Sequence, residues 1–213
     1  MQFVQRGIPI VAVDHKFTDI PCDAVFFDEY GAMKAVLEEG TKQNPALATA
    51  FCLPCCGHRI QTERNRAVYE YAAQCPDSVK TRCYQYETDY FDFQATAAEF
   101  FRRMMADSFF PERMVTTNND IGWQLFKLLR EAGKAPRSVC AVGDYWRGDE
   151  GYDAVLTCHY RLYDDFVAPL SEIVALRLAR DVPGNMNMVR MVKARPMTRA
   201  DFINYLDKLL LPD

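Results

Sequence analysis

Residues 112–146, ERMVTTNNDIGWQLFKLLREAGKAPRSVCAVGDYW, decide how this chain folds. Met114 and Val115 run into a polar turn made by Thr116, Thr117, Asn118, Asn119 and Asp120. Ile121, Leu125, Leu128, Leu129 and Ala132 then recur at i, i+4, i+7, i+8 and i+11, the stripe of a helix packed on a sheet. Asn118 or Asn119 caps this helix through a side-chain oxygen. Gly133 supplies the left-handed residue that ends it, and Pro136 blocks its return. Residues 138–142 form a short apolar run, the mark of a buried parallel strand. Strand, helix and strand make a βαβ unit. Such units place ligands at the carboxyl ends of their strands, which is where Asn119 and Asp120 sit.

The rest of the chain repeats that alternation. Residues 7–14, GIPIVAVD, are an apolar strand closed by an acid, preceded at 3–6 by what reads as the tail of a helix. A strand is predicted at 23–28 and a helix at 29–39 with Met33, Val36 and Leu37 inward. A small-residue strand follows at 46–52, a loop at 53–60, and a helix at 62–73 with Glu63 in its first turn. The next strand spans 79–86, and a helix at 93–105 turns Ala97, Phe100, Phe101 and Met104 to one side. Between them Tyr84, Tyr86, Tyr90, Phe91 and Phe93 either wall a pocket or, by the commoner use of such residues, simply pack. Beyond the opening stretch come a strand at 153–158 and a long helix at 164–180 with Val167, Leu170, Ile173, Val174 and Leu178 inward. A late strand at 186–192 precedes a final helix opened by Thr198 and Asp201, with Phe202, Tyr205, Leu206 and Leu209 inward. Strands alternating with helices predict an α/β fold of parallel sheets flanked by helices.

Composition narrows the function. At 213 residues with 49% hydrophobic and 25% charged side chains, the chain is long enough for one large domain or two lobes with real cores. A net charge of −4 offers nucleic acid no overall attraction. No apolar run approaches the roughly 20 residues that span a bilayer, so no membrane role is expected. The opening MQFVQRGIPIVAVD is not built like a signal peptide, and eight cysteines then imply a reducing cytoplasm and free thiols.

Two chemistries compete with plainer readings of the same residues. Cys52, Cys55, Cys56 and His58 have ligand types and spacing that zinc accepts, and Cys55 with Cys52 also resembles a redox pair. A structural zinc needs four ligands, but no second Cys/His pair with matching spacing appears, and Cys158 and His159 would have to come from far along the chain. Small apolar thiols filling a strand end and loop are the favoured reading, with no metal and no cofactor. There is no Gly-x-Ser-x-Gly elbow, no phosphate loop and no Gly-x-Gly-x-x-Gly, and His15, His58 and His159 have no Ser or Cys partner at a recognisable spacing. An enzyme is not expected.

The opening stretch resembles the effector-binding domain of the lac repressor/gal repressor (LacI/GalR) family. There a strand ends in an Asn-Asp pair, here Asn119-Asp120, and the strand after the helix ends in a Val-Gly turn, here Val142-Gly143. The family's aromatic and two acids after that glycine are replaced by Asp144, Tyr145 and Trp146. Its Gly and aromatic in the 62–73 helix are replaced by Ala67 and Val68. The resemblance implies a periplasmic-binding-protein-like type I fold, N-terminally truncated, with no counterpart of the DNA-binding head or of the first sensor strands. Residues 1–28 and 161–183 would be the remnant of a first lobe, and 29–160 with 184–213 a complete second lobe. By position the effector contacts become Asp14, Phe26, Arg64 (with Arg66 as its rival), Phe93, Asp120, Arg161 and Tyr163. Asp14 and Asp120 would accept hydrogen bonds from sugar hydroxyls, Arg64 donate two, and Phe26 or Phe93 stack. The structural alternatives are caps for the acids, an ion pair for Arg64 and core for the rings.

The resemblance thus implies the ligand-sensing part of a cytoplasmic, sugar-responsive transcription regulator, taking a small polar effector in an interlobe cleft and reaching DNA only through a head absent from this chain. The rival is a solute-binding protein of a sugar transporter, which shares the lobed fold. A reduced first lobe also predicts a homodimer, with residues 1–28 and the 164–180 helix in the contact and Phe166, Leu170 and Ile173 as the apolar face it covers.

Overall fold

Apolar runs and amphipathic stretches alternate in the computed structural model as the sequence predicts, with several shifted boundaries. It describes residues 10–14, 22–42, 44–88, 92–143, 148–183, 186–197 and 199–210. Outside these lie the 3–6 helix tail, residues 7–9 of the first strand, His15, Tyr90, Phe91, Asp144, Tyr145, Trp146 and Thr198, and the side chains of Leu206 and Leu209 are likewise not described. In chain order come β1 (Val11–Val13), β2 (Asp23–Phe27), α1 (Glu29–Lys42), β3 (Thr49–Cys55), α2 (Arg59–Ala72), β4 (Thr81–Glu87) and α3 (Phe93–Ala106). There follow β5 (Arg113–Thr116), α4 (Asn119–Glu131), β6 (Ser138–Gly143), the single turn α5 (Glu150–Asp153) and β7 (Leu156–Tyr160). A 3-10 turn (Tyr163–Phe166) leads into α6 (Val167–Ala179), then β8 (Val189–Val192), β9 (Arg195–Pro196) and α7 (Arg199–Leu210). Among the described residues no helix is long and apolar enough to cross a membrane.

The chain divides into two units, residues 1–28 with 162–194 and residues 29–161 with 195–213. The third crossing thus falls after Ala194, where the sequence reading placed all of 184–213 in the second lobe. Strand pairing is the reason: β8 lies parallel to β2, with Ala24 opposite Val189 and Phe27 opposite Val192.

The larger unit is a doubly wound sheet in the order β4-β3-β5-β6-β7-β9, parallel except for the β7–β9 pair. Helices α3 and α4 pack Ala97, Phe100, Met104, Ile121, Leu125 and Leu129 against Ala50, Cys52, Met114 and Val139. Helix α1 buries Met33, Val36 and Leu37 through its own stripe. The β5–α4–β6 unit forms as predicted: the Asn118 side chain accepts from the Asp120 and Ile121 amides, and Gly133 takes a φ of 68°.

Strand β3 runs three residues further than predicted, through Leu53, Pro54 and Cys55, and α2 begins at Arg59. The β5 side of β3 stops at Cys52, so Leu53–Cys55 pair only with β4. Pro54, which has no amide hydrogen to donate, is tolerated on that one-sided segment. Strand β7 likewise starts at Leu156, because Glu150–Asp153 is spent on a helical turn capped by Asp149.

The smaller unit has a three-stranded sheet in the order β1-β2-β8 among its described residues. Val25 and Phe27 on one face pack with Phe166, Ile173, Met188 and Val192. Arg177 ties helix to sheet: its Nε donates to Asp23 Oδ2 at 2.8 Å and its Nη2 to Oδ1 at 2.6 Å, while the Met188 amide also donates to Oδ1 at 2.8 Å. The Arg177 hydrogen bonds hold the Asp23 carboxyl below its ordinary range against the opposing pull of burial.

Helix α6 corrects the sequence reading. Val167, Val174 and Leu178, expected inward, are exposed, Leu178 at 80%. Ile173 is inward as expected, but it and Phe166 are core of the smaller unit itself and not a face left for a second copy to cover. This helix carries two interleaved apolar stripes. The 3-10 turn before it sets its phase so that the 166/170/173 stripe meets the sheet.

Candidate ligand site

In the larger unit the connection from β3 runs to β4 on one side, and the chain resumes at β5 on the other. Strand order therefore reverses between β3 and β5, and the carboxyl ends of these two strands are the topological switch point where open α/β sheets bind ligands. What lies there is a buried polar network. Gln61, Arg64 and Asn65 share one face of the first turns of α2, three and four residues apart. Gln61 Nε2 donates to Asn65 Oδ1 at 2.9 Å and also to Thr117 Oγ1, while Asn65 Nδ2 donates to the Pro54 carbonyl at 2.9 Å.

Arg64 is 1% exposed and Arg161, just past the end of β7, is 3% exposed. Glu29, the first residue of α1, joins them. Its Oε2 accepts from Arg64 Nε at 2.7 Å and its Oε1 from Arg161 Nη1 at 2.7 Å, while Arg64 Nη1 donates to the Thr117 carbonyl at 2.8 Å. Burial pushes the Glu29 carboxyl up, but the two guanidinium charges outweigh it and hold the group below the usual carboxylate range. Glu29 and Arg161 also flank two of the places where the chain passes from one unit to the other. The network therefore fixes both chain positions as well as the floor of the switch point.

Beside this floor is an open cavity of about 600 Å³ whose walls include Cys55, Cys56, Tyr86, Glu87, Thr88 and Asp92. Asp92 caps α3 by accepting from the Ala95 amide at 3.0 Å. Phe93 follows, half-buried against the core, and Asp120 stands half-exposed in the first turn of α4. Cys52 points into the core, and burial pushes its thiol well above the ordinary range. Among the described residues no three His, Cys, Asp or Glu side chains converge to hold a metal.

In the smaller unit Asp14 and Tyr163 meet at the carboxyl end of β1, with the Tyr163 hydroxyl 3.5 Å from Asp14 Oδ2. Asp14 has a φ of 56°, a left-handed conformation that aspartate tolerates better than most residues and that recurs at functional sites. Phe26 lies on the other face of β2 with Ala12 and Ala24, whereas Phe27 makes the edge-on contact with Tyr163 at 5.7 Å. Of the residues named from the sequence, Asp14 is thus brought to Tyr163, and Arg64 to Arg161 through Glu29. Arg66, the rival of Arg64, pairs with Glu63 on the surface.

Sequence reasoning missed Glu29, Gln61, Asn65 and Thr117. The only signal was polar residues recurring at i, i+3 and i+4 on a helix face that must meet a sheet. No family model matches this chain, and no curated protein does. Solved structures do. The Cra transcriptional dual regulator from Pseudomonas putida, in complex with fructose 1-phosphate, superposes with a TM-score of 0.66 at 15% identity over 93% of this chain and 71% of that one. A LacI family transcription regulator from Clostridium acetobutylicum gives 0.64 at 13% identity over 90% and 70%. One from Arthrobacter sp. FB24, in complex with lactose, gives 0.64 at 14% identity over 94% and 74%. The fold is that of LacI-family effector-binding domains. It is the α/β, periplasmic-binding-protein-like architecture, and these neighbours are transcription regulators rather than enzymes.

Proposed function

We propose that this chain is the ligand-sensing portion of a LacI-type, sugar-responsive transcription regulator that acts in the cytoplasm. The observation that carries the reading is the fold, matched over about nine tenths of the chain by regulators whose complexes hold fructose 1-phosphate and lactose. A small polyol is the ligand class. In the larger unit, taken by itself, the candidate contacts are Asp120 and Phe93 at helix starts that follow strands, and the smaller unit, taken by itself, offers Asp14 and Tyr163. Arg64 and Arg161 take the supporting role, because Glu29 already occupies their guanidinium groups. DNA is reached through a head domain outside this chain. A ligand acts as an effector by favouring one arrangement of the sensor over another through its differential affinity for the two.

A thermal-shift screen of pentoses, hexoses and sugar phosphates tests this, since a ligand of the folded state alone raises the melting temperature. With the best ligand in hand, Asp120→Ala is expected to weaken binding by about 1–3 kcal/mol, because ligand hydroxyls lose their acceptor. Melting of the free protein should change less, as Asn118 still caps α4. Unchanged affinity would remove Asp120 from the site.

Self-association belongs to the same proposal. A solved lac repressor of this fold is described as dimeric, and Val167, Val174 and Leu178 form an exposed apolar stripe on α6. Two copies of this chain pair through that stripe. Leu178→Glu is expected to shift the sedimentation equilibrium towards monomer by about tenfold or more, the effect of desolvating a charge in an apolar contact. A wild-type chain that is monomeric at tens of micromolar ends this part of the proposal.

A further inference from the structure

The amino end of the larger unit's sheet, opposite the switch point, has a cavity of its own, of about 300 Å³. Arg113, Ser138 and Leu156 are the first residues of β5, β6 and β7, and all three line it together with Asn44, Arg137 and Thr157. Arg113 is the unusual member. It is 1% exposed, and its Nη2 donates to the Asn44 carbonyl. Its Nε is buried and donates to no group among the described residues. Among the described residues no carboxylate forms an ion pair with it.

A buried cation without a counter-charge is costly, and natural proteins keep one where something neutralises it. Its uncompensated field reaches two neighbouring thiols, where burial raises Cys75 and Cys140 and Arg113 pulls both the other way. Arg137 stands at the rim with its side chain 77% exposed, 3.5 Å from Glu112. Among the described residues of the cavity wall the one acid, Glu39, is bonded to His159 Nε2 at 3.0 Å.

We propose that this cavity binds a small oxyanion, a phosphate or carboxylate group, seated on the Arg113 guanidinium with the Ser138 and Thr157 hydroxyls as donors and Arg137 as a second cation at the rim. A planar guanidinium with free donors matches two oxygens of such a group, which a lysine would meet only as a point charge. The cavity has room for such a group with a short carbon chain attached. This site is independent of the sugar proposal and lies at the other end of the strands.

Titration calorimetry on the full chain tests it, with inorganic phosphate, a phosphate monoester and acetate as separate probes at an ionic strength held constant with chloride. Saturable one-site binding of at least one probe is expected, and the order of affinities tells free phosphate, esterified phosphate and carboxylate apart. Arg137→Glu, at an exposed position, should weaken that binding by about tenfold or more, and Arg113→Met should abolish it. Arg82→Glu changes net charge equally on an exposed strand position and should leave the affinity unaltered. If Arg113→Met does not fold, Ser138→Ala combined with Arg137→Glu replaces it, with loss of binding again expected. No saturable heat with any probe overturns the proposal. So does binding that Arg137→Glu leaves at the wild-type value, or that Arg82→Glu weakens equally.

Discussion

The two ends of one sheet treat buried arginine in opposite ways. At the carboxyl end Arg64 and Arg161 both donate to the Glu29 carboxylate, and Arg64 also donates to the Thr117 carbonyl. At the amino end Arg113 has one carbonyl and no acid among the described residues. Burial is almost the same at Arg64 and Arg113, 1% each. The difference is therefore in partners: Arg64 faces a carboxylate, and Arg113 faces none among the described residues. The residue that the family resemblance nominated for the ligand is one that already faces a carboxylate.

That contrast is open to direct attack. Breaking the Glu29 set should cost most. Arg64→Met leaves Glu29 with a single partner in a water-excluded position, and chemical denaturation should show a loss of about 3–5 kcal/mol. A loss below about 1 kcal/mol would mean that the network is wetter and weaker than its distances imply.

The pH dependence of stability comes next. The folded-state pKa of Glu29 is lowered, so its contribution is fully present above the unfolded value of about 4.3 and fades as pH falls through the folded value. Wild type should lose stability between neutral pH and pH 3 more steeply than Glu29→Gln, which cannot titrate there. Parallel curves would deny Glu29 its depressed pKa.

The smallest effect is expected at Arg113. Arg113→Met removes an unpaired buried charge and keeps most of the volume, so stability in oxyanion-free buffer should stay within about 1 kcal/mol of wild type or rise. A loss as large as that of Arg64→Met would mean that Arg113 is a structural residue like the other two.

Much of the fold was legible before any coordinates. The α4 stripe, the Asn118 cap, Gly133 and the apolar run of β6 are local features, read from periodicity and capping chemistry, and each forms where its residues predict. Boundaries moved where a neighbour decides them. Leu53–Cys55 are strand because β4 pairs with them, and Val189–Val192 belong to the smaller unit because β2 does. The inward face of α6 was misread because Val167, Val174 and Leu178 are as apolar as the residues that are buried.

The candidate sites divide along the same line. Strand ends closed by Asp14 and by the Asn119-Asp120 pair are sequence-level facts, since an α/β alternation by itself says where loops and helix starts bring polar groups. Whether Arg64 is a ligand contact or an ion-pair partner is not, because Glu29 lies 35 residues away and Arg161 lies 132 from Glu29. Arg113 carries no motif at all. Residue order determined the α/β architecture through short-range periodicity, but only the tertiary structure decided which buried charges meet a counter-charge, because that depends on which distant segments the sheet sets side by side.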